Sequence, residues 1–104
     1  METPLDCIIT VAPHVSWIES NGEIILVDGN QEEVMGLDNV GRDAFLRLVK
    51  KEPLSRVIDD LLLEYEVERD VLEQDLLGLL HSLCERNVIS SQPPLPPFNA
   101  TSSL

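Results

Sequence analysis

Apolar and polar positions alternate over the first third of the chain and then change period. Cys7-Ile8-Ile9-Thr10-Val11 is β-prone and is followed by Pro13, which reads as a short edge strand or an ordered arm over 1–14. Val15-Ser16-Trp17-Ile18-Glu19 leads through Ser20-Asn21-Gly22 into Glu23-Ile24-Ile25-Leu26-Val27. Asn-Gly between two β-rich runs predicts a hairpin, because both residues tolerate positive φ. A second turn, Asp28-Gly29-Asn30, leads to Glu33-Val34-Met35-Gly36-Leu37, the third strand of an antiparallel meander. Gly36 weakens that strand and marks a close backbone approach.

From Asp38 the period becomes helical. Asp38 or Asn39 is placed to cap a helix whose apolar face is Val40, Ala44, Phe45, Leu48 and Val49. Pro53 interrupts it, and a second helix begins near Ser55 with Val57, Ile58, Leu61, Leu62 and Tyr65. A third runs from about Glu68 to Arg86, with Glu68, Asp70 and Glu73 near the positive end of its dipole. Asn87 suits the left-handed turn that ends it, so that Val88-Ile89 pack back on the core. This last helix carries two apolar stripes, Leu72, Leu76, Leu79 and Leu83 beside Leu77, Leu80 and Cys84. Either one stripe joins the core while the other lines a groove, or both seal a small core. Asp75 sits among them, suited to anchoring a donor at a groove rim, to an intradomain bond, or to facing water. Pro93-Pro94-Leu95-Pro96-Pro97 suits polyproline II, and 91–104 reads as a flexible tail.

The fold class is therefore α+β: a three-stranded antiparallel sheet followed by three helices, in a winged helix-turn-helix-like order. A length of 104 residues fits one domain, placed at 15–90, and 43% hydrophobic residues supply its core. Nineteen acidic residues against seven basic ones, a net charge of −12, argue against a partner held through phosphates. No apolar run spans a membrane, and no basic leader precedes an apolar segment. Cys7 and Cys84, far apart and outside any Cys-x-x-Cys pattern, read as thiols of a cytoplasmic protein.

Candidate chemistry is sparse. His14 and His81 belong to no metal-ligand pair, and His81 near Cys84 reads as a helix residue beside a small hydrophobe, not a nucleophilic pair. The acidic run Asp59 to Glu73 reads as a solvated rim. Asp28 to Glu33 is too short for a calcium loop, and no phosphate-binding glycine motif occurs. These features predict a protein with no catalytic residues, cofactor or metal.

The element order resembles the PqqD-like family, the precursor-peptide recognition element of ribosomally made peptide biosynthesis, over Val15 to Ile89. The resemblance is carried by Leu37-Asp38-Asn39-Val40-Gly41-Arg42-Asp43-Ala44-Phe45, where the family has Leu-Asn, a small residue and an aliphatic-aromatic pair. It continues in Val57-Ile58-Asp59-Asp60-Leu61 with Glu64-Tyr65. It is most specific in Val71-Leu72-Glu73-Gln74-Asp75-Leu76-Leu77-Gly78-Leu79-Leu80-His81-Ser82-Leu83, ending in Asn87-Val88-Ile89. The chain departs from the pattern in Asp38 for Asn, Phe45 for Trp, Asn87 for Gly, and in lacking a glycine before the second helix.

The resemblance implies a non-catalytic peptide chaperone. It would bind a precursor's leader peptide and present it to a separate maturation enzyme (a radical SAM enzyme, a leader peptidase or another modifying enzyme), in natural-product or PQQ-type cofactor biosynthesis. The leader would add a strand along Val34, Met35, Gly36 and Leu37 and pack against Leu72, Asp75, Leu76, Leu79 and Leu83. Two other classes fit the same elements. A winged-helix nucleic-acid binder needs a basic recognition surface, whereas Arg69 and Arg86 lie far apart. A structural adaptor would bind a folded protein through the second leucine stripe.

Overall fold

A computed structural model of the chain describes residues 5–29 and 32–97, apart from the side chains of Glu33 and Val34. The elements are β1 (Ile8–Val11), β2 (Ser16–Ser20), β3 (Glu23–Val27), β4 (Glu33–Asp38), α1 (Asn39–Leu48), α2 (Leu54–Glu64), α3 (Arg69–Glu85) and β5 (Ile89–Gln92). β2, β3 and β4 form the expected antiparallel meander, and the three helices follow it. Asn21 and Gly22 both take positive φ, 55° and 77°, in the tight β2–β3 turn that their identities favour. Alternate residues of β3, Ile24 and Leu26, are fully buried, so one face of the sheet closes on the helices.

The core under that face is aliphatic. α1 supplies Ala44, Phe45 and Leu48, and α2 supplies Leu54, Val57, Ile58 and Leu61. α3 buries Leu72, Leu76 and Leu83 from one stripe and Leu77 and Leu80 from the other. Both stripes thus seal the core, with Leu79 and Cys84 half-buried at its margin. Phe45 meets the ring of Trp17 edge-on, centroids 5.1 Å apart, which ties α1 to β2.

The helix ends follow local chemistry in part. At the end of α3, Asn87 has φ 60°; Val88 N–H donates to Leu83 O at 2.9 Å and Asn87 N–H to Cys84 O at 3.0 Å, the paired bonds of a Schellman turn. At the start of α1, Asp38 occupies the cap position in extended backbone, but its side chain makes no capping bond. α2 begins after Pro53 and also has no side-chain cap. Its first two N–H groups are satisfied from a distance: Leu54 N–H donates to Cys7 O at 2.9 Å and Ser55 N–H to Leu5 O at 2.7 Å.

That contact is part of a second sheet. β1 pairs antiparallel with β5, from Ile8 opposite Gln92 to Val11 opposite Ile89. Cys7 and Ile9 are buried in the common core. Residues 5–11 are therefore built into the domain, and β5 runs across the boundary read from composition at residue 90. Residues 93–97 lie against the same side: Leu95 packs on the core, and the His81 ring Nε2 is 2.7 Å from Pro96 O. The tail expectation for 98–104 falls outside the described residues.

Candidate functional site

β2 and β4 are the two edges of the meander, and β4 is the one that runs on into α1; among the described residues it pairs only with β3. Opposite Leu26 and Ile24 stand Met35 and Leu37, which places both on the helix-facing side, while Gly36 pairs with Ile25 on the other. The register breaks at Leu26/Val27, where Val27 pairs with Glu33 and Leu26 with Met35, leaving Val34 as the extra residue of a bulge. An edge broken in this way offers a regular run of donors and acceptors only from Met35 to Asp38.

From Leu37 the apolar surface continues across the first turn of α1 to α3. A methyl group on Gly41 would lie 3.8 Å from Leu37 Cβ and 3.8 Å from Leu79 Cδ2, so this glycine floors the passage between strand and helix. Leu37, Leu76, Leu79 and Leu83 line this seam with Phe45 and Leu48. The seam opens into a cleft of about 290 Å³ walled by Val40, Gly41, Tyr65, Glu66, Val67, Leu72, Asp75, Leu76 and Leu79. Four residues expected from sequence, Leu72, Asp75, Leu76 and Leu79, thus meet in one cleft. Leu37 and Leu83 adjoin it, Met35 lies further along the edge, and Gly36 faces away. The side chain of Val34 lies outside what is described.

Sequence reasoning did not place Val40, Gly41, Tyr65, Glu66 or Val67 in the site. For Gly41 a signal existed, the small residue after Leu37-Asp38-Asn39-Val40. Tyr65 likewise stood in the matching Glu64-Tyr65 run, whereas Glu66 and Val67 carried no signal, because they enter through the α2–α3 connection. The cleft accordingly sits between α1, that connection and α3, and β4 reaches it only by way of the Leu37 seam.

Charges around the site divide into two groups. Arg42 donates to Gly22 O at 2.8 Å and to Asp43 Oδ1 at 3.0 Å, and Tyr65 O–H donates to Asp43 Oδ2. This network joins the β2–β3 turn, α1 and the α2–α3 connection, and fixes the wall of the cleft that Tyr65 forms. The Tyr65 hydroxyl, with the Arg42 guanidinium, holds the Asp43 carboxyl below its ordinary range, while the same bond raises the Tyr65 phenol. Arg47 pairs with Glu64 at 2.7 Å, and Arg69 pairs with Asp59 and Glu73. Asp75 and Glu66 are exposed at the cleft and take part in no ion pair or hydrogen bond among the described residues.

The network has a pH signature. Asp43 is depressed, so its contribution is present above the ordinary carboxylate value of about 4 and is lost as pH falls through the folded value. Tyr65 is raised, so its contribution is present below about pH 10 and is lost as pH rises through its folded value. Tyr65→Phe is therefore expected to lower the urea midpoint at neutral pH. The gap to the parent protein should shrink in acid below about pH 4 and in alkali above about pH 10. A gap constant over all three regions would mean that the Tyr65–Asp43 bond carries no stability.

Burial pushes the Cys84 thiol up, which disfavours the thiolate. Cys7 Sγ lies 3.8 Å from Pro94 O. Among the described residues no group of three His, Cys, Asp or Glu side chains is placed to hold a metal ion. No helix among them is long and apolar enough to cross a membrane.

Two solved structures share this architecture. A lasso peptide synthetase B1 complexed with its leader peptide matches with 28% identity and a TM-score of 0.71, over 79% of this chain and 96% of that one. TbiB1 in complex with the TbiA(beta) leader peptide matches with 23% identity and a TM-score of 0.70, over 77% and 93%. No curated protein matches the chain. Residues 23–89, from β3 with its paired edge strand through the three helices to the Schellman turn, match the model of Coenzyme PQQ synthesis protein D, and the chain belongs to the PqqD family.

Proposed function

We propose that this protein binds the leader of a ribosomally made precursor peptide and presents the precursor to a separate modifying enzyme, catalysing no step itself. The observation that carries the reading is the open edge of β4 beside the Leu37–Gly41–Leu79 seam, which leads into an apolar cleft. An extended peptide would take its backbone bonds from Met35 to Asp38 and seat apolar side chains over Leu37, Leu72, Leu76 and Leu79. Burying about 100 Å² of leader apolar surface contributes on the order of 2.5 kcal/mol before ordering costs. The similar chains solved with leader peptides, together with the family membership, support the same reading. The partner enzyme is of the radical SAM, leader peptidase or another modifying class, and the product is a modified peptide or a PQQ-type cofactor.

The test pairs mass spectrometry with NMR. Isolated protein mixed with its precursor should leave the precursor's mass unchanged, while backbone shifts cluster at residues 35–41 and 72–79. Turnover without a second enzyme, or shifts confined to the acidic face of α2, would sink the proposal.

Gly41 gives a direct probe of the passage. Gly41→Ala meets only ordinary contacts at 3.8 Å and removes a helix glycine, so it is expected to stabilise the fold by about 0.5–1 kcal/mol. Gly41→Leu fills the passage and is expected to weaken leader binding by more than about tenfold, equivalent to roughly 1.4 kcal/mol. Unchanged affinity in Gly41→Leu would place the leader elsewhere.

A further inference from the structure

We infer that the groove selects leader segments carrying lysine or arginine beside their apolar anchors. The inference rests on the leader-binding reading and deepens it by naming the chemistry of the occupant. The chain carries nineteen acidic residues and seven basic ones. Five helix acids, Asp43, Asp59, Asp60, Glu64 and Glu73, each lie within 4 Å of Arg42, Arg47 or Arg69, whereas Asp70 and Glu85 lie on α3 outside both these pairs and the cleft. The two acids that line the cleft, Glu66 and Asp75, stand outside these pairs, and no basic residue lines the cleft with them. Asp38, at the end of the open β4 edge where an added strand would pass, is likewise exposed, and its carboxylate takes part in no ion pair or hydrogen bond among the described residues.

An apolar cleft rimmed only by unneutralised carboxylates discriminates by charge. A glutamate or aspartate brought to the rim meets like charge, whereas a lysine or arginine lays its methylene stem on Leu79 or Val67 and its cationic head beside Asp75 or Glu66. Each exposed pair of this kind changes affinity by up to about fivefold. Two such contacts, set against repulsion of an acidic peptide, make a difference of more than tenfold between oppositely charged leaders. The contribution is confined to short range, since screening at about 0.1 M salt acts over roughly 10 Å.

The experiment uses three synthetic peptides of about fifteen residues with the same alternating leucine and valine anchors. Their intervening polar positions are all lysine, all glutamine or all glutamate. Fluorescence anisotropy at low and high salt gives affinity, and NMR shifts of the full chain locate each peptide. The expected result is that the lysine peptide binds more than about tenfold tighter than the glutamate peptide at low salt, with the gap closing at high salt. Glu66→Gln/Asp75→Asn should remove most of that gap, while Glu19→Gln/Glu85→Gln, which removes the same charge away from the cleft, should leave it. Equal loss in both double variants would assign the preference to overall charge and overturn the inference. Equal affinity of all three peptides, with shifts at the groove, would overturn it too while leaving leader binding intact. If no peptide shifts residues 35–41 or 72–79, leader binding fails and the inference falls with it.

Discussion

Leu79→Asp is expected to weaken leader binding by roughly 30- to 100-fold, equivalent to about 2–3 kcal/mol, while leaving the fold in place. Leu79 is the residue of its stripe that the core leaves half-exposed, and it lines both the seam from Leu37 and the cleft. Its carboxylate replacement reaches water in the unbound protein, so the cost of burying charge arises only when a leader covers it. Leu76→Asp is the instructive contrast. Leu76 is 3% exposed, so aspartate there must desolvate a charge within the core, and the variant is expected to unfold. Circular dichroism separates the two, and calorimetric titration with the cognate leader reads the affinity. A folded Leu79→Asp protein that binds the leader as tightly as the parent would remove α3 from the site.

The elements legible in the sequence are those whose signals are local. The change from period two to a helical period at Asp38 marks the passage from β4 to α1, and Asn21-Gly22 and Asn87 announce the backbone conformations they adopt. The site is legible where a helix repeat collects it: Leu72, Asp75, Leu76 and Leu79 recur at intervals of three and four and so share a face. Two stripes on one helix were ambiguous, because periodicity reports that a face is apolar but not what covers it. The structure resolves the ambiguity by burying both and leaving Leu79 at the margin. Asp38 shows a local signal giving way, since a residue suited to capping leaves its side chain unused for that purpose. The pairing of β1 with β5 was illegible because Ile8 and Gln92 stand at opposite ends of the chain, and Ser90 and Ser91 carry no β-pattern.

Removing residues 1–11 is expected to unfold a large fraction of the protein, although the family match begins only at residue 23. The segment buries Cys7 at 0% exposure and Ile9 at 3%, completes the two-stranded sheet with β5, and supplies the carbonyls of Leu5 and Cys7 to the first turn of α2. Losing the Ile9 burial costs about 1.5–3 kcal/mol. Opening the α2 terminus and exposing the surface beneath Cys7 raise the total to on the order of 4–6 kcal/mol. A domain of this size has only about 5–15 kcal/mol in hand. At about 4–8 °C per kcal/mol, the melting temperature should drop by more than about 15 °C. Ser55→Ala, which removes only the 2.9 Å hydroxyl bond to Asp6, should cost less than about 1 kcal/mol. A truncated protein melting within about 5 °C of the full chain, roughly 1 kcal/mol, would mean that α2 finds other partners for its first N–H groups and that the arm is dispensable.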